Sequence, residues 1–193
     1  MTPTNRMARR GLYHPSQEHD ACGLGFVVDI AGRRSHSVVE DALTILRRME
    51  HRGAVGADPE TSDGAGILLA MPHSFLEYVM EKQGDEIPTA GDYGVAQLFV
   101  SRDPGRRDAQ MNILREIVRY HGQKIIAFRE VPVNLAAIGP SGRASMPIVL
   151  QLFVARFAPR ETFEHVLYLL RKRVENRVRA AGLSDDFYIA SFS

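Results

Sequence analysis

The residues best equipped for chemistry lie near the beginning of the chain, in the stretch HDACGLGF at residues 19–26, where Cys22 is the only cysteine. A lone thiol has two readings. It can be a small buried hydrophobe, inert and present for packing. It can also be a nucleophile, and the position suggests how. Removal of Met1 to Ala21 as a propeptide would leave Cys22 as the first residue, with a free α-amine beside its own sulfur. Such an amine has a pKa of about 7.7–8.0, so it accepts the thiol proton near neutral pH and one residue supplies both nucleophile and base. Ala21 before it and Gly23 after it leave room for cleavage and for close approach of a substrate.

A second polar group follows in HRGAVGADPETSDGAG, residues 51–66. The Arg52 guanidinium has the paired donors that pin a charged or polar group, and equally it suits a surface position at a helix end. His51 reads as a helix cap. Asp58 and Asp63 have the short carboxylates that hold turns through bonds to the backbone. Other temptations carry less. The histidines of HSF (73–75) and of the Tyr120–His121 pair have no ligand-spaced neighbours, so no metal site is expected. GAGI lacks the lysine and the strand-to-helix setting of a phosphate loop. RKRVENRVR (171–179) reads as a solvated basic helix face.

These groups need elements to hold them. With 193 residues, 45% apolar and 24% charged, the chain has globular composition and enough length for a sizeable core. A net charge of +1 gives no electrostatic reason to expect nucleic acid or a membrane surface. No apolar run approaches the roughly 20 residues of a membrane span, and the basic N-terminus is followed by no hydrophobic segment of a secretory signal. One cysteine excludes an internal disulfide, so a cytoplasmic, reducing setting is expected. Alternation and β-branched content predict strands at residues 23–30 and 67–71, at 94–100, over KIIAFREV and PIVLQLFVARF, and in FYIASF at the end. Three- and four-residue spacing predicts helices from about Ser37 to Glu50, Ser74 to Lys82, Gly105 to His121 and Arg160 to Ala181. Residues 84–92 and the segment carrying Pro140, Gly142 and Pro147 read as loops. Strands and helices mixed without a βαβ rhythm predict an α+β class. The last strand stops at Ser193 with no turn behind it, which predicts a fold truncated at its C-terminus.

A strand opening with cysteine, then a helix, then a loop opening with His-Arg-Gly is similar to the layout of the class II glutamine amidotransferases. GLYHPSQEHDACGLGF and LRRMEHRGAVGADPETSDGAGILLAMPHSF resemble, within that family, the start of glutamate synthase large subunits, and the likeness runs from about Gly11 to the end. The resemblance implies a four-layer αββα sandwich of the N-terminal-nucleophile hydrolase type, with 1–21 as propeptide and 22–193 as the N-terminal part of the amidotransferase domain. It implies Cys22 as the nucleophile that attacks the side-chain amide of glutamine, with its α-amine as acid and base. Arg52 and Gly53 would shape the glutamine pocket, and Asp63 and Gly64 would form a tight turn lining it. The family pattern usually has threonine and glycine before that aspartate, whereas this chain has Thr61-Ser62.

The resemblance also implies an oxyanion-holding Asn-Gly pair further along. The asparagines here are Asn5, Asn112, Asn134 and Asn176, and none precedes a glycine. The flavin, the iron–sulfur cluster and the ammonia-consuming barrel of a whole synthase would likewise lie elsewhere, leaving no cofactor for this chain. One reading is therefore a glutaminase part completed by the remainder of a synthase or by a second chain, and poorly active alone. Another is a truncated, non-catalytic relative or fragment serving as an interaction or regulatory module. An unrelated α+β domain would require both motif blocks to be coincidence.

Overall fold

The computed structural model describes residues 23–49, 58, 60, 61 and 64–193. The chain divides between Leu69 and Ala70 into two units. In the first, helix α1 (His36–Arg48) starts where the Ser35 hydroxyl accepts the Ser37 N–H, and ends at Met49, whose N–H reaches the carbonyls of Ile45 and Leu46. Ahead of it, residues 23–29 form neither helix nor strand, and the same holds for residues 64–69. The two strands predicted at 23–30 and 67–71 are thus absent among the described residues. Alternation makes a segment able to be a strand, but a strand exists only when a neighbour takes its backbone bonds. Leu24, Phe26, Val28 and Ile30 accordingly stand exposed along one side.

The second unit matches its pattern closely. Its elements are α2 (His73–Gln83), β1 (Tyr93–Val100), α3 (Pro104–Tyr120), β2 (Lys124–Glu130), α4 (Pro140–Ser145), β3 (Ile148–Ala155), α5 (Arg160–Ala180) and β4 (Tyr188–Phe192). The strands form one antiparallel sheet in the order β2-β3-β1-β4. Central strands β1 and β3 pair over their full length, from Tyr93 opposite Ala155 to Val100 opposite Ile148. The segment predicted as loop around Pro140 instead holds α4, begun by Pro140 at the first helical position, and a 3₁₀ turn at Leu135–Ala137 capped by Asn134.

Alternation along the strands gives the sheet two apolar faces. On one, Ala96, Leu98 and Val100, Leu152 and Val154, and Ile189 pack against Met111, Leu114 and Val118 of α3 and Phe163, Leu167, Leu170, Val174 and Val178 of α5. The 3.6-residue period makes each helix present such a stripe, and burying it is what holds the helices down. Gly94 permits the closest approach: a Cβ there would lie 2.5 Å from Leu167 Cδ1. The opposite face carries Tyr93, Val95, Ala127 and Phe153, covered by Leu76 and Met80 of α2.

Each end of the sheet is fastened by polar side chains. Gln110 is fully buried on α3, yet all its capacity is used. Its Oε1 accepts the Ser101 N–H at 3.0 Å, and its Nε2 donates to Asp186 at 2.8 Å and to the Leu183 carbonyl at 3.1 Å. Arg106 reaches the same Asp186 at 3.2 Å through two nitrogens. This network ties the start of α3 to the turn before β4.

At the other end Asp92 accepts from Arg156 and from the Thr89 hydroxyl. The Arg156 bond, with Thr89 second, holds its carboxyl below the ordinary carboxylate range. A depressed folded pKa means that the stabilisation is complete above the unfolded value of about 3.9 and is lost as pH falls through the folded one. Asp92→Asn is therefore expected to unfold more easily than the unsubstituted chain at neutral pH, with the difference shrinking as pH falls from about 4 through the lower folded pKa. Urea midpoints measured across pH would show this. A difference that persisted unchanged into acid would contradict it.

Candidate functional site

Of the residues singled out by the sequence, Cys22, Arg52, Gly53 and Asp63 lie outside the described residues, and Gly64 lies within them. Gly64 is exposed, and no heavy atom lies within 4 Å of where a Cβ would stand. What the structure shows directly is the frame on either side of the missing positions.

Gly23, the residue after Cys22, begins the segment that runs to Asp29. That segment rests on α1 at one point, where a Cβ at Gly25 would come within 2.5 Å of Ile45 Cγ2. A glycine three residues after Cys22 is therefore what lets this backbone lie against the helix that leads to the His-Arg-Gly loop. The segment is closed by Asp29, which accepts the N–H groups of Ala31 at 2.8 Å and Arg33 at 3.4 Å and also the Arg33 side chain at 3.1 Å. The Arg33 bond holds the Asp29 carboxyl below its usual range. Asp29 to Gly32 is where the sequence pattern ends the segment, an aspartate two residues before Ala-Gly being an ordinary turn signal.

On the far side of α1, Asp58 behaves as the turn residue expected of it. Its carboxylate accepts the Glu60 N–H at 3.1 Å and the Thr61 hydroxyl at 2.8 Å, and its carbonyl accepts the Thr61 N–H at 3.0 Å. A short carboxylate bonding its own loop is a device for fixing backbone shape near a site rather than for proton transfer.

His73 and His121 each pack against a tyrosine. His73 Nδ1 lies 3.0 Å from the Tyr93 hydroxyl, with the rings 5.7 Å apart. Burial, with Glu77 adding to it, raises the Tyr93 pKa. His121 meets the Tyr120 ring edge-on at 5.4 Å. Among the described residues no group of His, Cys, Asp and Glu is gathered to hold a metal ion. Among them, too, no helix is long and apolar enough to cross a membrane. In RKRVENRVR, Val174 and Val178 are buried, while Arg171 and Lys172 both bond Glu175, at 2.9 and 3.1 Å. A cleft of about 570 Å³ lies at one end of the sheet between Ser101–Asp103 and Ser184–Tyr188, beside the Arg106–Asp186 pair.

The described residues form an α+β class of protein, with one antiparallel sheet in the second unit and a helix in the first. Comparison with known proteins makes the class specific. Residues 22–193 match the family model of class-II glutamine amidotransferases, so the chain belongs to that family. It is 36% identical over 196 residues to the glutamate synthase (NADPH) large chain of Bacillus subtilis, covering 100% of this chain and 13% of that one. It is 37% identical over 184 residues to the glutamate synthase (NADPH) large chain of Azospirillum brasilense, covering 94% of this chain and 12% of the relative. The glutamate synthase (NADH) of Schizosaccharomyces pombe is 34% identical over 190 residues, which are 94% of this chain and 9% of the relative. The chain thus spans only a small fraction of the length of these curated relatives.

Proposed function

We propose that this chain is the glutamine-hydrolysing part of a glutamate-synthase-type large subunit, with Cys22 as its nucleophile. The observation that carries the reading is the family match, which begins at Cys22 itself. Removal of Met1–Ala21 frees the α-amine of Cys22. The amine takes the thiol proton as the sulfur attacks the amide carbon of the glutamine side chain. The tetrahedral intermediate collapses, the protonated amine gives its proton to the departing nitrogen, and ammonia leaves. The γ-glutamyl thioester that remains is hydrolysed by water, which loses a proton to the same amine, and glutamate departs with the thiol restored.

Arg52 and Gly53, with the turn at Asp63–Gly64, hold the glutamine. Arg52 does so by paired donors and Gly53 by close backbone approach. No asparagine in the chain precedes a glycine, so the Asn-Gly oxyanion pair is supplied from outside these 193 residues. One such donor is worth about 10²–10³ in rate, and the isolated chain is accordingly poorly active. The complete fold is a four-layer αββα sandwich, of which the sheet and helices α3 and α5 make two layers. Flavin and iron–sulfur cluster belong to other parts of a synthase. A cluster needs several thiolates, and this chain has one. Ammonia passes to that remainder or to a second chain completing the site, in the cytoplasm, where the thiol stays reduced.

The test is release of glutamate and ammonia from glutamine by the purified chain. Turnover near zero is expected, rising when a protein carrying the remaining segment of the domain is supplied. Full turnover by the 193-residue chain alone would overturn the assignment of the oxyanion donors to another segment.

A further inference from the structure

The C-terminal half of α3 and the beginning of edge strand β2 enclose a second cleft, of about 370 Å³, in the part of the chain that holds none of the residues assigned to glutamine. Its size is within the roughly 300–1,000 Å³ of small-molecule sites. Its floor is apolar, made by Val118, Ile125 and Phe128, and its rim carries the cations Arg115, Arg119 and Lys124. No carboxylate lines it. The remaining lining residue, Gln123, is fully engaged: its Nε2 donates to the His121 carbonyl at 3.2 Å and its Oε1 accepts the Phe157 N–H at 3.0 Å. It is a fixed wall, and the rim has only positive groups to offer.

Some arginines of this unit are matched to carboxylates. Arg106, Arg156 and Arg171 each face a carboxylate at 3.2 Å or less. Arg115 bonds only the Asn112 amide at 3.3 Å while its guanidinium lies 5.5 Å from the centre of the Phe128 ring. Arg119 and Lys124 face no carboxylate among the described residues. Arg115 and Arg119 stand one helical turn apart, an i,i+4 like-charge pair that works against the helix unless something negative lies between them. Arg173 adds its charge nearby, 6.0 Å from the Tyr120 ring. Beside Tyr120, His121 has a buried Nε2 without a partner, and burial, then Arg173, lowers its pKa.

We propose that this cleft is a binding site for a small, multiply charged anion, of the polyphosphate or polycarboxylate class. Arg115, over the Phe128 ring, and Arg119 supply planar donors, and Lys124 supplies a point charge.

The test is calorimetric titration of the 193-residue chain with pyrophosphate and, separately, with citrate, at low and at physiological salt. Saturable binding of one anion per chain is expected, weaker at the higher ionic strength. The double variant R119A/K124A changes only exposed side chains and is expected to weaken it about tenfold. R177A/R179A removes the same charge from the end of α5 and is expected to leave binding within about twofold. Tighter pyrophosphate assigns the site to phosphate-bearing molecules, and tighter citrate to polycarboxylates. Absence of saturable binding to either, or equal weakening by both double variants, would overturn the proposal in favour of diffuse surface charge.

Discussion

Cys22→Ala is expected to lower glutamine hydrolysis by about 10⁴-fold or more, in any preparation in which the unsubstituted protein hydrolyses glutamine. The loss is this large because the sulfur forms the covalent bond, and the α-amine that alanine keeps is left with no nucleophile to deprotonate. Cys22→Ser restores an oxygen nucleophile beside the same amine, but its hydroxyl proton is far harder to remove, so little of the rate should return. Steady-state ammonia release is the measurement, with substrate binding followed separately by the change in KM. Retention of more than about a hundredth of the activity in Cys22→Ala would place the nucleophile elsewhere and remove the basis of the proposed function.

The second large effect is on stability. Phe153 is fully buried in β3, on the sheet face that α2 covers, and stacks on Tyr93 with ring centres 6.2 Å apart. It shares that core with Leu76 and Met80. Phe153→Ala is expected to cost about 3–5 kcal/mol, the lost transfer energy plus the cavity left between sheet and helix. The smaller change Phe153→Leu keeps most of the volume and should cost less than half as much. Denaturant midpoints at constant m would measure both. A loss below about 1 kcal/mol for the alanine variant would mean that α2 does not pack on this face in solution.

The elements with strong periodicity were legible because one physical requirement fixes each of them. In α5 the stripe Phe163, Leu167, Leu170, Val174 and Val178 has a single buried face, and all five are buried. Strands β1 and β3 read as strands for the same reason on a two-residue period, and they found each other as partners. The segment at 23–30 has an equally good pattern, but pairing depends on a second backbone that no local pattern specifies. The short helix α4 was missed because six residues are fewer than two turns and PSGRAS repeats no apolar position, and only Pro140 marks its start. Gln110 was hidden differently. It sits one turn before Leu114, a polar residue on an apolar stripe, and that misplacement was the available sign of a buried network.

The candidate site was legible only as a motif. A lone cysteine is as readily packing as chemistry, and spacing could not choose between them. The two blocks around Cys22 and around Arg52-Gly53 did, and the family match supports that choice. Asp58 was legible from residue type, since the short carboxylate read as a turn residue bonds Glu60 and Thr61. What sequence and fold leave to experiment is whether Cys22 acquires the free amine on which its proton transfer depends.

Intact mass spectrometry before and after exposure to an electrophilic glutamine analogue asks that most directly. The account predicts a chain lacking Met1–Ala21 that gains one adduct, located by fragmentation on Cys22, with excess glutamine slowing the reaction. A chain that keeps Met1–Ala21 and gains no adduct would contradict it.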